Sequence, residues 1–415
     1  MALVVSVAMG LGMTACGGGT IGFMWVLGTQ YNQIAGFKID DFTGNLTAIP
    51  HSPFTSGGAN PVSIVVKPGG RFVYVVNKGG GNGPAAGLPC GTAGSISEFS
   101  VGGQGILTFQ QCFQSQGTTP VWAANDSTGN FLYVLDQVAK DAICDSTLPG
   151  FSSTSCYGSI TVFSIDPNTG RLTLVLNQQV KAQGNTGLQQ TYFAVGQTPT
   201  MMAVSGGCLF TLNTADQTVS PYAVGTAGQL TFTTTQKFNS GAVTPTSIIA
   251  GGSGIYITDA GAPNQNSPGQ VLPYTVGAAT CSLNTITGGA VANIAPAANP
   301  VYSLVEKKTS THLYVLNQST TDTTNPNSSI SAFTIQTNST LQELSDPGNN
   351  PYTVGAGPVC MAEDPSNQYV YTSNGDGTVT GKQISTLGQL SDLRRGSKFT
   401  ATGQATCLAI SGNVD

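Results

Sequence analysis

Along the chain, short apolar runs rich in aromatic and β-branched residues alternate with polar, glycine-rich stretches. One six-residue pattern keeps returning: Phe72-Val73-Tyr74-Val75-Val76-Asn77, Phe131-Leu132-Tyr133-Val134-Leu135-Asp136, Cys208-Leu209-Phe210-Thr211-Leu212-Asn213, Ile255-Tyr256-Ile257-Thr258-Asp259, His312-Leu313-Tyr314-Val315-Leu316-Asn317 and Tyr369-Val370-Tyr371-Thr372-Ser373-Asn374. A weaker copy, Phe23-Met24-Trp25-Val26-Leu27, ends in Gly28 instead of Asn or Asp. Each copy reads as a strand buried on both faces and closed by a turn-forming residue. Recurrence at roughly 45–80 residues belongs to arrays of supersecondary units with insertions between them.

The segments around each copy are also regular. A strand such as Ser159-Ile160-Thr161-Val162-Phe163-Ser164-Ile165 is followed by turn chemistry, Asp166-Pro167-Asn168-Thr169-Gly170, and by a strand opening Leu172-Thr173. Next comes an aromatic-x-x-Gly…Pro segment, such as Tyr352-Thr353-Val354-Gly355 to Pro358, and a strand that leads back into the aromatic pattern. Proline sets φ, Asn caps the turn, and glycine accepts positive φ. The unit is a four-stranded antiparallel meander, A to D from the proline onward. A strands begin near Pro61, Pro120, Pro199, Pro245, Pro300, Pro358 and Ala405, and the last has no B strand after it. We expect an all-β, seven-bladed propeller closed by pairing of the C-terminal strand at 406–410 with the strand at 23–27, which removes the free edges of an open array.

These strands, turns and linkers resemble the seven-bladed propellers of the YVTN-repeat and lactonase type, a group that includes bacterial 6-phosphogluconolactonase-like proteins. The resemblance spans about residues 21–412 and rests on the [FL]-x-Y-V-x-[ND] strands, the tGxLt turns and the aromatic-x-x-Gly…Pro linkers. It implies the fold, and permits a lactone hydrolase with polar and charged residues such as His, Glu and Arg around the central opening.

Composition narrows the setting. Charged residues make up 8 % of the chain, against about 25 % in typical soluble proteins. Thr, Ser, Asn, Gln and 54 glycines take their place, as suits an exported, turn-rich protein. The net charge of −5 and the absence of a basic run exclude a nucleic-acid partner. Residues 1–15 form an apolar stretch of signal-peptide length that ends at Met13-Thr14-Ala15-Cys16-Gly17, resembling a bacterial lipoprotein signal with Cys16 as the lipidated first residue. The expected organisation is a signal peptide at 1–15, a Gly-rich tether at 16–20 and a single propeller at 21–415, held at the cell envelope.

Removing Cys16 leaves eight cysteines, an even number that reads as four disulfides in an oxidising compartment. The expected pairs are Cys144 with Cys156 inside one loop, Cys90 with Cys112 on the adjacent D strand, and Cys360 with Cys407 on neighbouring A strands. Cys208 and Cys281 remain as the fourth pair. No cysteine forms a CxxC motif and there are two histidines, so neither a metal site nor a cofactor is expected.

Long insertions, at 78–94, 137–157, 181–190, 260–270 and 318–328, all fall in B–C or D–A connections, which share one face. That face is the expected working face. The B-strand ends Asn77, Asp136, Asn213, Asp259, Asn317 and Asn374 form a polar ring there, able to hold a ligand or to cap their own loops. No nucleophile elbow, HExxH motif or phosphate-cradling loop is present. The leading expectation is an envelope-anchored protein that binds or scaffolds a protein or glycan ligand. Alternatives are a lactone hydrolase and a self-assembling subunit of a surface polymer.

Overall fold

The computed structural model describes residues 19–412, apart from 148, 177–190, 233–236, 253, 263–268, 278, 296–297 and 320–327. It is an all-β propeller of seven antiparallel sheets around a central axis. Blade 1 runs from the strand Pro61–Val66 through Phe72–Asn77 and Ser95–Val101 to Leu107–Phe113. Blades 2 to 6 follow in chain order, with inner strands Pro120–Asn125, Pro199–Ser205, Pro245–Gly251, Ala298–Val305 and Pro358–Glu363. Blade 7 is built from both ends of the chain. Its inner strand Ala405–Gly412 pairs with Thr20–Gly28, in the register Met24 to Ile410, Trp25 to Ala409 and Val26 to Leu408. Each inner strand touches the inner strands of both neighbouring blades, so the ring is closed.

The outer strand departs from a plain four-stranded meander. In six blades it is broken in two, and both pieces pair with the C strand. In blade 7, Leu46–Ala48 pairs with the far end of Gln33–Asp40 and Phe54–Thr55 with its near end. The aromatic linkers of the sequence are therefore short edge strands, as at Phe193–Ala194, Phe238–Asn239 and Tyr352–Thr353. Interrupting an edge strand lowers its capacity to template association with another chain.

The aromatic B strands are buried because each packs between its own blade's partners and the next blade. Phe72–Asn77 is buried at every position. Its Tyr74 hydroxyl donates to the Gly170 carbonyl in the C–D turn of blade 2, at 2.5 Å. Tyr314 does the same to Gly388 at 2.8 Å, Tyr371 to Gly44 at 2.6 Å, and the Trp25 indole N–H to Gly105 at 3.1 Å. The turn needs glycine for two reasons. Gly170 has φ +76°, and a Cβ there would lie 2.5 Å from Cδ1 of Phe72. Gly170→Ala should cost about 2 kcal/mol through strain and overpacking together, read as a lower urea midpoint; an unchanged midpoint would show that this blade contact adjusts freely.

Between blades 3 and 4 a covalent bond occupies the same place. Cys208, at the aromatic's position in its B strand, bonds Cys281 in the next blade's C–D turn, with Cα atoms 5.5 Å apart. The other three bonds are Cys90–Cys112, Cys144–Cys156 and Cys360–Cys407, with Cα separations of 5.5, 4.7 and 5.0 Å. Cys16 and the leader at 1–15 lie outside the described residues.

Candidate functional site

The B-strand polar ring is built inward. Asn77, Asp136, Asn213, Asp259, Asn317 and Asn374 are each 0 % exposed. In the Asn blades the side-chain amide reaches hydroxyls at alternate positions of the C strand, at 2.8 to 3.5 Å: Ser95 and Ser97, Thr218 and Ser220, Ser329 and Ser331, Thr378 and Thr380. Asp259 accepts the backbone N–H groups of Val243, Thr244 and Gly261 and the Gln270 amide. Hydroxyl and backbone partners turn these six side chains inward, while Asn77 Oδ1 and Asp136 Oδ2 are buried without a partner. Blade 7 carries Gly28 instead because a Cβ there would stand 2.1 Å from the Thr402 carbonyl oxygen.

The axis is shaped by the inner strands. All seven carry a register shift near their start, such as that between Pro61 and Ser63. A bulge at that point re-aims the residues around it. Counting the opening proline, or Ala405, as the first, the third positions are Ser63, Trp122, Met201, Ser247, Tyr302, Cys360 and Cys407. Trp122 of blade 2 meets Tyr302 of blade 5 across the ring, with centroids 6.2 Å apart. Both rings also pack against the cluster that contains Cys360 and Cys407 and the one that contains Met201. The channel is thus filled by an aromatic pair backed by a disulfide, and burial pushes the Tyr302 phenol up to about 12.

On the loop-rich side of this floor, the residues after each opening proline or Ala405 are Val62, Val121, Thr200, Thr246, Val301, Val359 and Thr406. None is ionisable. Glu363 alone among inner-strand residues is charged, and it sits at the tight-turn end. One of its oxygens accepts the Lys307 N–H at 2.8 Å, and burial raises its carboxyl to about 7. His312 opens a B strand at that same end, 3.7 Å from Glu306. His51 is exposed, in the left-handed region at φ 66°, between the two outer-strand pieces of blade 7. Neither histidine, none of Glu98, Glu306, Glu343 and Glu363, and none of Arg71, Arg171, Arg394 and Arg395 lies in a B–C loop or at the start of an inner strand.

The insertion at 137–157 brings an acid–phenol cluster to the loop-rich face. Asp141 Oδ2 accepts the Tyr157 hydroxyl at 2.8 Å and the Tyr192 hydroxyl at 3.2 Å. Although partial burial alone would raise it, the N–H of Ile143 and the two phenols hold the Asp141 carboxyl below its usual range, while burial raises both phenols. A carboxylate so fully bonded positions the two rings and is a poor proton acceptor. Beside it, between blades 2 and 3, lies a groove of about 220 Å³ lined by Tyr157, Gln197 and Lys237 among others. A second groove, of about 300 Å³, lies between blades 5 and 6. No group of three or more His, Cys, Asp or Glu side chains placed to hold a metal occurs among the described residues.

The sequence reading missed the aromatic floor and both grooves. The floor has a sequence signal, since Trp122 and Tyr302 stand where the other inner strands carry Ser, Met or Cys. The insertion at 181–190 lies outside the described residues, as do parts of those at 260–270 and 318–328.

Comparison with known proteins agrees with this architecture. The model of the lactonase family, described as a seven-bladed β-propeller, matches residues 20–143. No curated protein matches. Among solved structures, a putative 6-phosphogluconolactonase from Bacteroides fragilis superposes with a TM-score of 0.65 at 17 % identity, covering 94 % of this chain and 98 % of its own. The periplasmic gluconolactonase of Pseudomonas aeruginosa gives 0.66 at 15 % identity, covering 95 % and 100 %. A putative 6-phosphogluconolactonase from Bacteroides uniformis gives 0.66 at 14 % identity, with the same coverage of 95 % and 100 %. At these identities the likeness establishes a lactonase-type propeller fold.

Proposed function

We propose that this protein is an exported lactonase-type propeller that opens a small uncharged lactone at the mouth of its loop-rich face. The match to the lactonase family over residues 20–143 carries the reaction class. The two solved structures named as putative 6-phosphogluconolactonases and the one named as a periplasmic gluconolactonase support it. The lack of any charged inner-strand residue at this end supports the substrate class, Lys78 and Lys140 being the cations of the nearby B–C loops among the described residues. A phosphate is ordinarily held by Arg or Lys in charge-assisted pairs, and the inner strands offer only Glu363, at the opposite end. Four disulfides support export, since such bonds persist in oxidising compartments. Attachment through a lipid on Cys16 is part of the same reading.

One observation favours a second reading, a binder without turnover: every His, Glu and Arg side chain lies away from the mouth. Ring opening of D-glucono-1,5-lactone and of its 6-phosphate, followed at constant pH against the spontaneous rate, separates the two. Acceleration confined to the unphosphorylated lactone is the expected result. Calorimetric binding without acceleration would establish the binder, and faster opening of the phosphate would overturn the assignment of substrate class.

A further inference from the structure

We propose that the rim of the loop-rich face carries two equivalent saccharide subsites, one between blades 2 and 3 and the other between blades 5 and 6. The two grooves repeat each other at several lining positions. Val195, Ser220 and Lys237 line the first, and Val354, Thr380 and Lys398 stand at the same places in the second. The local sequences repeat too. Asp216-Gln217-Thr218-Val219-Ser220 corresponds to Asp376-Gly377-Thr378-Val379-Thr380, and Lys237-Phe238 to Lys398-Phe399. In each, the lysine at the start of the short outer strand reaches the aspartate of the B–C turn, with Lys237 to Asp216 at 3.1 Å and Lys398 to Asp376 at 3.2 Å.

All three lysine–aspartate ion pairs among the described residues lie at or beside these grooves, Lys237 lining the first next to Asp216, and the third being Lys382 with Asp392 at 2.7 Å in the second. Exposed pairs such as Lys237–Asp216 and Lys398–Asp376 contribute little to stability, so fold stability does not account for their shared placement. A polyhydroxylated ring matches their chemistry. One hydroxyl can donate to the carboxylate while its neighbour accepts from the ammonium, and the net charge of each set is zero, which favours neither anions nor cations. Ser220, Thr380 and the Gln197 amide add neutral partners, and Val195, Val354 and Ala356 offer apolar surface to the C–H face of a sugar. In the first groove Tyr157 supplies an aromatic wall, held by its bond to Asp141 within a loop closed by Cys144–Cys156. Fixing that ring in advance reduces the ordering cost of binding. Volumes of about 220 and 300 Å³ fall at or below the roughly 300–1,000 Å³ of drug-sized sites, so each groove takes one ring.

The test uses the full chain with its disulfides intact and methyl β-D-glucoside, N-acetylglucosamine and cellobiose as probes, read by saturation-transfer NMR and calorimetry. These sugars contain no lactone, so the outcome is independent of any ring-opening activity. At least one probe should bind with two equivalents per chain. Lys398→Gln should reduce that to one, Lys237→Gln with Lys398→Gln should weaken total binding by about tenfold or more, and Lys398→Arg should retain it. Thermal midpoints measured on the same samples identify any variant that fails to fold, and the exposed Lys398 makes this outcome avoidable. The proposal is overturned if no probe saturates the folded protein, if two equivalents persist in the double variant, or if only glucuronate binds, which would mark a simple anion site.

Discussion

Replacing Cys360 and Cys407 together by alanine should lower stability by about 4 kcal/mol and loosen the ring closure before the rest of the fold. The bond spans 47 residues, and the chain-entropy model assigns a loop of that length about 4 kcal/mol. The shorter Cys144–Cys156 bond spans 12 residues and should contribute about 3 kcal/mol on the same basis. Position adds to length. Cys407 lies on Ala405–Gly412, the strand on which closure depends, and its partner belongs to the neighbouring blade. The bond also backs the Trp122–Tyr302 floor. Chain ends fray unless tied down. Hydrogen exchange in the double variant should therefore rise first in Ala405–Gly412 and in the paired residues Phe23 to Val26. Urea midpoints and exchange maps read both effects. Equal loss of protection across all seven blades, or no shift in midpoint, would show that the closing strand is held by pairing and packing alone.

How far the sequence could be read follows from which forces act locally. The B strands declare themselves because burial on both faces demands unbroken apolar runs such as Val73 to Val76. The C–D turns do so because Gly170 and its counterparts combine a positive φ with contact against an aromatic ring. The split outer strand was not visible in this way. Phe54–Thr55 is two residues long and flanked by Pro53 and Gly57, so propensity reads it as a linker, and only pairing with Gln33 and Ile34 makes it a strand. The polar ring was legible as a pattern and open as to purpose. Its purpose was encoded one strand later, in hydroxyls at alternate positions such as Ser329 and Ser331. The site proved hardest to read because its parts are far apart in the chain. Trp122 and Tyr302 meet only once seven blades close, and the repeat of Lys237-Phe238 at Lys398-Phe399 acquires meaning only when each lysine is seen to face an aspartate.

Stability should fall as pH rises from about 4 to 7, contrary to the trend expected of paired surface carboxylates. Burial raises Asp136, Glu98 and Glu363 each to about 7, whereas unfolded carboxyls titrate near 4. Between those values the folded chain holds protons that the unfolded chain has released, so the slope of stability against pH is negative there and flattens above about 7. The charges near these groups do not outweigh burial: Arg171 acts on Glu98, and Lys307 on Glu363 against Glu306 and Asp364. A difference of this size is worth on the order of 1 kcal/mol or more per group. Below about 4 the trend reverses, because Asp40, Asp259, Asp376 and Asp392 are held low by their partners and lose those bonds on protonation. The thermal midpoint should accordingly be highest near pH 4 to 5 and lower at pH 8. Asp136 offers the sharpest probe. It stands where four other blades carry Asn, and Ser159, at the place of Ser95 and Thr218, has a buried hydroxyl without a partner. Asp136→Asn supplies an amide to that hydroxyl and removes a buried titration. The variant should be more stable than the parent at pH 8 by about 1–3 kcal/mol, with the difference shrinking toward pH 4 to what the amide–Ser159 bond contributes. A variant less stable than the parent at pH 8, or a parent whose midpoint rises between pH 5 and 8, would show that Asp136 is charged in the fold and that the Ser115 hydroxyl at 2.7 Å, the Gly117 N–H and the Thr161 hydroxyl outweigh its burial.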